Sequence, residues 1–229
     1  MKYIDFEHVV SPERMKRYLI ACHNDTKKAM SLYRFNIKLS QEMFPIIGCF
    51  EVALRNKIDA EMKKHYGGNW LRDSILPNGI FSYDARVDGT RKIITKVYNN
   101  LQITHKYSHS RLLTEMDFGI WKFMFNNVQY RLAGRCLLNI FPNKPTSNRK
   151  LKYNNAYVFN ELDCVNQIRN RIAHHEPICF GNSTNIDTQI VIHCYNSITH
   201  LFQWMGIDSK SLLYGIDHIG MALDTIKKI

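Results

Sequence analysis

Apolar residues recur at intervals of three and four along most of this chain, and this spacing is the period of an amphipathic α-helix. The clearest run consists of Met43, Ile47, Phe50, Leu54 and Ile58. No alternation of apolar and polar residues extends beyond four or five positions, so no strand is expected. The pattern predicts an all-α fold, a helical bundle whose helices are joined by long loops.

Capping residues and helix breakers set the limits that we expect for the helices. Ser11 precedes Pro12, which is typical of a helix start, and Gly67 ends the helix that Ser40 opens. Pro177 stops a long helix because the residue before a proline avoids the helical conformation. The predicted helices span residues 11–23, 25–39, 40–66, 88–106, 111–116, 118–140, 155–175, 186–205 and 209–227.

The charge balance of the chain favours a polyanionic partner. Its 229 residues include 31 Lys and Arg but 20 Asp and Glu, which leaves a formal net charge of +11 at pH 7. Such an excess attracts nucleic acid or an anionic membrane surface. The longest apolar stretch, residues 44–54, is interrupted by Glu51 and is shorter than the roughly 20 residues that a bilayer requires. Nucleic acid is therefore the favoured partner, and no membrane association is expected.

Several features of the sequence indicate whether the protein holds a metal ion and in which cellular compartment it is found. Six cysteines are scattered without a C-x-x-C motif, which favours neither a zinc site nor a disulfide framework. His105 and His109 are four residues apart, but no Cys or carboxylate completes a metal site, so we expect them on the surface or facing RNA. The first residues lack the pattern of a secretory signal. The sequence predicts a cytoplasmic protein without a metal ion or another cofactor.

The most informative segment is the predicted helix that ends before Pro177. At about 100° per residue, its apolar residues form one arc, and Arg169 projects into the middle of that arc. A guanidinium in such a place costs on the order of several kcal/mol unless an anion pairs with it. Asn170 and His174 are four residues apart and share a different stripe. The apolar arc consists of Val158, Leu162, Val165, Ile168 and Ile172.

The spacing of Arg169 and His174 along one helix does not easily bring both side chains to the same phosphate. Their separation of five residues corresponds to about 140° in azimuth and ~7.5 Å in rise. Two such helices packed face to face would bring both side chains from both helices into one cleft. We therefore expect a homodimer, or pairing with a second similar helix.

The chemistry of these two residues fits RNA cleavage without a metal. In the last turn of a helix the dipole favours the charged imidazolium, and a histidine that titrates near neutrality can move a proton. A nearby guanidinium can stabilise the phosphate while the 2′-hydroxyl attacks it. The expected products are a 2′,3′-cyclic phosphate and a 5′-hydroxyl, and DNA would not be cut.

Three segments resemble the Abi-like family of bacterial abortive-infection proteins, which act in phage defence. Residues 50–58 read FEVALRNKI, residues 113–121 read LTEMDFGIW, and residues 169–178 read RNRIAHHEPI. Within the third segment, the spacing from Arg169 and Asn170 to His174 is similar to the R-(polar)-x-x-x-H signature of HEPN ribonucleases. The three segments occur in matching order.

The resemblance implies a HEPN-like core, an RNA substrate and an active site shared by two copies of the chain. It also implies a role in phage defence or as a toxin restrained by a partner, and some relatives pair with a small noncoding RNA. Arg169 and His174 would be catalytic, and Asn170 would be the polar residue of the motif. We expect one domain over residues 1–229, with an N-terminal helical extension (1–39), the family-like region (40–180) and C-terminal helices (181–229).

Further basic residues are candidates for RNA contact. Arg171 and His175 lie within the motif segment. Arg55 follows Glu51 by four residues, and Glu51 either forms a surface ion pair or supports Arg169. The basic loop before the motif helix is either solvated or in contact with phosphates. The basic residues of this loop are Lys144, Arg149, Lys150 and Lys152.

The main prediction is a metal-independent endoribonuclease, and two alternatives stay open. In the first, the motif holds a small noncoding RNA without cutting it. In the second, the chain is a structural component of a defence complex, and Arg169 is ion-paired in its core.

Overall fold

The computed structural model describes residues 1–82 and 84–229. The secondary-structure elements of these residues are all helices, joined by turns and loops, and the one β-feature among them is an isolated bridge between Phe180 and Ile186. The all-α prediction is therefore confirmed for the described part of the chain. Short 3-10 helices span Ala85–Val87 and Leu137–Ile140. The α-helices are α1 (Tyr3–Val10), α2 (Pro12–Ala21), α3 (Thr26–Tyr66), α4 (Trp70–Asp73), α5 (Asp88–Ile103), α6 (His109–Thr114), α7 (Phe118–Phe123), α8 (Asn127–Leu132), α9 (Asn155–Ala173), α10 (Gln189–Trp204), α11 (Ser209–Leu212) and α12 (Ile219–Ile226).

Side-chain caps explain why α2 begins where the sequence predicts, and their lack explains why α1 was not predicted. Ser11 Oγ accepts a hydrogen bond from the backbone N–H of Arg14 at 3.3 Å, and Pro12 occupies the first turn. At the start of α1, Lys2 makes no capping hydrogen bond. Phe6 is the one buried residue of α1, so tertiary packing stabilises a helix that has no local start signal.

The prediction of two helices over 25–39 and 40–66 is wrong, because the structure has one helix of 41 residues, α3. Pro45 lies inside it, and Ser40 does not start a new helix. Buried apolar residues continue on both sides of the predicted break, from Leu39 to Met43 and Ile46. Burial of this continuous face outweighs the local capping and proline signals. The helix ends as predicted at Gly67, whose φ is +82°.

Two other predicted helices are interrupted. Segment 118–140 forms α7, α8 and a 3-10 helix instead of one helix. Asn126 caps α8, since its side-chain oxygen accepts from the N–H of Val128 at 3.1 Å, and Gly134 has a φ of +69°. Segment 209–227 divides into α11 and α12. In each case a local turn divides the segment into short helices, although its apolar residues keep the helical spacing throughout.

The described chain divides into two compact units. The first unit contains residues 1–49, 167–199 and 208–229, and the second contains residues 50–166 and 200–207. In the first unit, the ring of Tyr18 packs edge-on against Tyr33 and Phe180, at centroid distances of 5.3 and 5.2 Å. Phe6 adds a contact with Tyr33 at 5.4 Å. This aromatic cluster fixes the segment after α9 against α2 and α3.

The second unit has its own aromatic core. Phe50 packs edge-on against Phe202 at 5.3 Å, and Trp121 is fully buried. Trp204 is surrounded by three rings at centroid distances of 5.3 to 6.3 Å. These rings belong to Phe141, Tyr153 and Tyr157. They hold the end of the basic loop and the start of α9.

All six cysteines carry free thiols, and four of them are buried, where a free cysteine packs as a small apolar side chain. In the part of the chain that the structure describes, no helix has both the length and the apolar character needed to traverse a bilayer.

Candidate functional site

The motif helix α9 ends earlier than the sequence predicts, before His174 and His175. The N–H of Glu176 donates to the carbonyl of Arg171 at 2.7 Å, and the N–H of His175 donates to that of Ile172 at 3.1 Å. These two bonds form a Schellman cap, and His175 takes the left-handed conformation that this cap requires, with a φ of +56°. The cap places both histidines in an exposed turn beyond the helix rather than in its last turn.

Arg169 falls within the predicted apolar arc of α9, but its side chain is partly exposed, because the fully buried part of the arc ends at Ile168. The four apolar residues that precede it on this face are buried, but Ile172 is partly exposed. The Arg169 side chain is also partly exposed, and its Nη1 donates to the side-chain oxygen of Asn170 at 3.4 Å. The predicted cost of a buried guanidinium therefore does not arise, and Arg169 can meet a ligand from solvent.

The three motif residues lie at one exposed helix end, but their side chains are not all linked to one another by hydrogen bonds. The carbonyl of Asn170 accepts the backbone N–H of His174 at 2.9 Å, and both side chains are exposed. Within residues 1–82 and 84–229, no hydrogen bond or ion pair joins the side chains of Arg169 and His174. One chain thus offers a guanidinium and an imidazole to solvent at the same helix end.

Arg171, a candidate RNA contact, makes contacts within the protein. Its guanidinium donates to the carbonyls of Pro177 and of Phe180, the latter at 3.1 Å. Burial lowers the pKa of Arg171 from its ordinary value, and the positive charge of Arg17 lowers it further. Arg171 thus ties the segment after the motif to α9, and RNA contact by this residue stays a prediction.

Other residues that position this segment were not identified from the sequence. Arg14 Nη1 donates to the carbonyl of His175 at 2.6 Å, and Arg17 Nη2 donates to that of Gly181 at 2.7 Å. The buried side-chain oxygen of Asn36 accepts from the N–H groups of Ile178 and Cys179, at 2.8 and 3.1 Å. The spacing of Arg14 and Arg17 places them on one face of α2, but periodicity does not reveal what that face meets.

An apolar groove of about 590 Å³ lies beside the motif in the first unit. Ile37 and Phe44 of α3 line it, and their side chains are 50% and 57% exposed. The end of α9 supplies Ile172 and Ala173 to the opposite wall, and His175 also lines the groove. Exposed apolar residues that cluster beside polar ones are typical of a surface for another protein chain.

The remaining candidates lie in the second unit. Arg55 is partly buried on α3, and its Nε is buried without a hydrogen-bond partner in the described part of the chain. Glu51 is partly exposed on the same helix. The basic loop is shaped by Asn148, whose side-chain oxygen accepts from the N–H groups of Lys150 and Leu151, both at 2.9 Å. Its basic side chains are exposed, except for Lys144, which is partly exposed; the exposed ones belong to Arg149, Lys150 and Lys152.

One group of side chains has metal-ligand chemistry, although no metal site was expected. The ligand atoms of Glu61, His65 and Cys136 lie within 4.8 Å of one another. Both carboxylate oxygens of Glu61 are already bonded, since Oε2 pairs with Lys64 at 2.8 Å and Oε1 accepts from Asn139 at 2.9 Å. A metal ion would have to displace these donors, so the contacts of Glu61 do not favour a metal site in this group.

The prediction that His109 lies on the surface is wrong, because its imidazole pairs with a carboxylate in the second unit. Its Nε2 lies 2.7 Å from Asp59 Oδ1, which also accepts from Trp70 Nε1 at 2.8 Å, while Asp59 Oδ2 pairs with Lys63 at 2.6 Å. Burial by itself raises the pKa of the Asp59 carboxyl, but the hydrogen bonds from Lys63, His109 and Trp70 outweigh it, so the pKa is lowered. This cluster joins α3, α4 and α6.

Comparison with known proteins adds a family relationship to this geometry. A family described as Abi-like protein matches residues 4–179, which include the motif helix and all three segments on which the resemblance rests. No curated protein and no solved structure shows significant similarity to the chain.

Proposed function

Because this chain belongs to the Abi-like protein family, we propose that it acts in phage defence by abortive infection, as a metal-independent endoribonuclease of the HEPN type. One observation carries the proposal: Arg169, Asn170 and His174 lie at the same capped end of α9, and their side chains are exposed or partly exposed. The net charge of +11 supports a polyanionic substrate.

The proposed reaction uses the 2′-hydroxyl of the RNA as the nucleophile. Its oxygen attacks the adjacent phosphorus while an imidazole takes up the hydroxyl proton. The bond from phosphorus to the 5′-oxygen breaks, and an imidazolium donates a proton to this leaving oxygen. The guanidinium of Arg169 bonds to the non-bridging oxygens, which gain negative charge in the transition state. The products are a 2′,3′-cyclic phosphate and a 5′-hydroxyl.

In this proposal a second copy of the chain completes the site. Base and acid are both needed, and two copies supply two His174 side chains along with two guanidiniums. The groove beside the motif, with exposed Ile37 and Phe44, provides an apolar surface on which the copies can pack. The dimer would thus form next to the chemistry it serves.

Replacing Phe44 by glutamate is expected to weaken the homodimer by about 30-fold or more, since an exposed aromatic anchor typically contributes at least about 2 kcal/mol to an interface. Light scattering after gel filtration, over a range of protein concentrations, measures the monomer–dimer equilibrium. Met221→Glu is the matched control, because Met221 is 65% exposed in the same unit and lies away from the groove lining. A Phe44→Glu protein as dimeric as the Met221→Glu protein would contradict this interface.

The nuclease proposal is tested by incubating the protein with end-labelled RNA in EDTA. We expect cleavage that leaves 2′,3′-cyclic phosphate ends, and no cleavage of RNA whose 2′-hydroxyl is replaced by hydrogen at the cut nucleotide. Cleavage that requires a divalent metal would contradict the mechanism. Tight RNA binding without turnover would instead support a protein that holds a small noncoding RNA, with Arg55 and the basic loop, Lys144 to Lys152, as candidate phosphate contacts.

A further inference from the structure

A second cavity in the first unit, of about 530 Å³, is lined by three arginines. Arg14 and Arg17 come from α2, and Arg171 comes from α9. We propose that this cavity binds a backbone phosphate of the RNA that flanks the cleaved linkage. The inference rests on the proposed function for the identity of the ligand. His175 also lines the cavity and directly follows His174, so the phosphate site and the motif are adjacent along the chain.

Within the described residues the three guanidiniums form no close ion pair, although the nearby negative charge of Glu176 acts to raise the pKa of Arg171. In the part of the chain that the structure describes, none of Arg14, Arg17 and Arg171 forms an ion pair with a carboxylate. Their hydrogen bonds go to backbone carbonyls of the segment after α9, through a single guanidinium nitrogen in each case. A guanidinium has five N–H donors, so each arginine keeps donors for an anion.

Backbone carbonyls fix the arginines in place but do not neutralise them. Burial lowers the pKa of Arg171, the positive charge of Arg17 lowers it further, and the negative charge of Glu176 opposes this in part. The two guanidiniums therefore repel each other. A phosphate would offset this repulsion and accept paired hydrogen bonds in the fork geometry of a guanidinium. Glu13 and Glu176 also line the cavity and reduce its positive charge, but they leave the three arginines in excess.

The position of α2 adds to the attraction for an anion. Ser11 caps this ten-residue helix, Glu13 and Arg14 lie in its first turn, and all three line the cavity. The positive end of the helix dipole therefore points to the same place as the arginines. Because the arginines are held by the protein itself, the phosphate would meet a preformed site.

The test is the salt dependence of RNA binding, measured by fluorescence anisotropy with a 2′-O-methylated RNA that cannot be cleaved. Each phosphate contact on a single strand contributes about −0.7 to the slope of log affinity against log salt concentration. We expect Arg17→Gln to reduce the magnitude of this slope by about 0.7 and to weaken binding by about tenfold at low salt. A variant that only disturbs the segment at Gly181 would lose affinity without this change in slope.

Lys16→Gln is the matched control, because Lys16 is exposed on the same helix but does not line the cavity. It removes the same charge, and we expect its slope to equal that of the unmodified protein. Glu176→Gln, which removes a negative charge from the cavity, is expected to strengthen binding. An Arg17→Gln slope equal to that of Lys16→Gln would overturn the proposal.

Two further outcomes distinguish this phosphate site from a site for free phosphate and from the nuclease proposal. Thermal stabilisation by inorganic phosphate that Arg17→Gln abolishes, with an unchanged RNA slope, would assign the cavity to free phosphate and overturn the RNA assignment. The expected change in slope without any RNA cleavage would support the phosphate site and contradict the nuclease. If the protein binds no RNA, both proposals fail.

Discussion

Replacing His174 by alanine is expected to lower the rate of RNA cleavage by about 100-fold or more, because proton transfer by a positioned imidazole contributes about 10²–10⁴-fold. Arg169→Ala is expected to have an effect of similar size, through loss of transition-state stabilisation. Both side chains are solvent-accessible at the end of α9, so neither change leaves a buried group unpaired. The measurement is single-turnover cleavage of labelled RNA, with thermal unfolding as the check on folding.

Two companion variants test the assignment of these roles. Arg169→Lys keeps the charge but loses the planar fork that binds two phosphate oxygens, so only partial activity is expected. His193→Ala removes an exposed imidazole from α10 in the same unit and should cleave at the original rate. If His174→Ala and Arg169→Ala both cleave RNA as fast as His193→Ala does, the proposed mechanism is wrong.

Replacing Asp59 by alanine is expected to reduce the free energy of unfolding by about 2–4 kcal/mol, because each buried donor left without its acceptor costs about 1–3 kcal/mol. The substitution would leave the indole N–H of Trp70, the imidazole of His109 and the ammonium of Lys63 without their shared acceptor. Urea denaturation measures the loss. Asp224→Ala is the control, since Asp224 is 69% exposed and pairs with Lys227 only at 3.5 Å, where about 0–1 kcal/mol is expected.

The Asp59 carboxylate also makes the free energy of unfolding depend on pH. Because the pKa of Asp59 is lowered in the folded protein, its contribution is present above the ordinary value of 3.8 and is lost as the pH falls through the lowered value. The difference in unfolding free energy between the unmodified protein and Asp59→Asn should therefore shrink as the pH is lowered below about 4. A difference that stays constant over this range would show that the carboxylate is not stabilised by its neighbours.

Local signals in the sequence were enough to identify the main features of the helical framework. The cap at Ser11, the glycine at Gly67 and the periodicity of α9 each act within a few residues, so they can be recognised without the fold. The motif from Arg169 to His174 is likewise recognised from spacing along the chain, although the helix itself ends at Ala173. The sequence also located the basic loop before α9, whose side chains are exposed in the structure.

Features that depend on distant parts of the chain were predicted wrongly or not at all. The fusion of two predicted helices into α3 depends on a buried face that continues past Ser40. The burial of His109 depends on Asp59, which is 50 residues away in the sequence. Arg14 and Arg17 meet carbonyls more than 160 residues further along the chain. None of these partners is marked by a local pattern.

The amino-acid sequence by itself determined that this chain is helical and that a guanidinium and an imidazole lie near the end of one helix, since both follow from residue types at short, fixed intervals. Only the tertiary structure decided that Arg169 stays partly exposed, that both histidines lie beyond the Schellman cap, and that three arginines converge on the segment after it. Helical periodicity defines the faces of a helix, whereas long-range packing decides what each face meets.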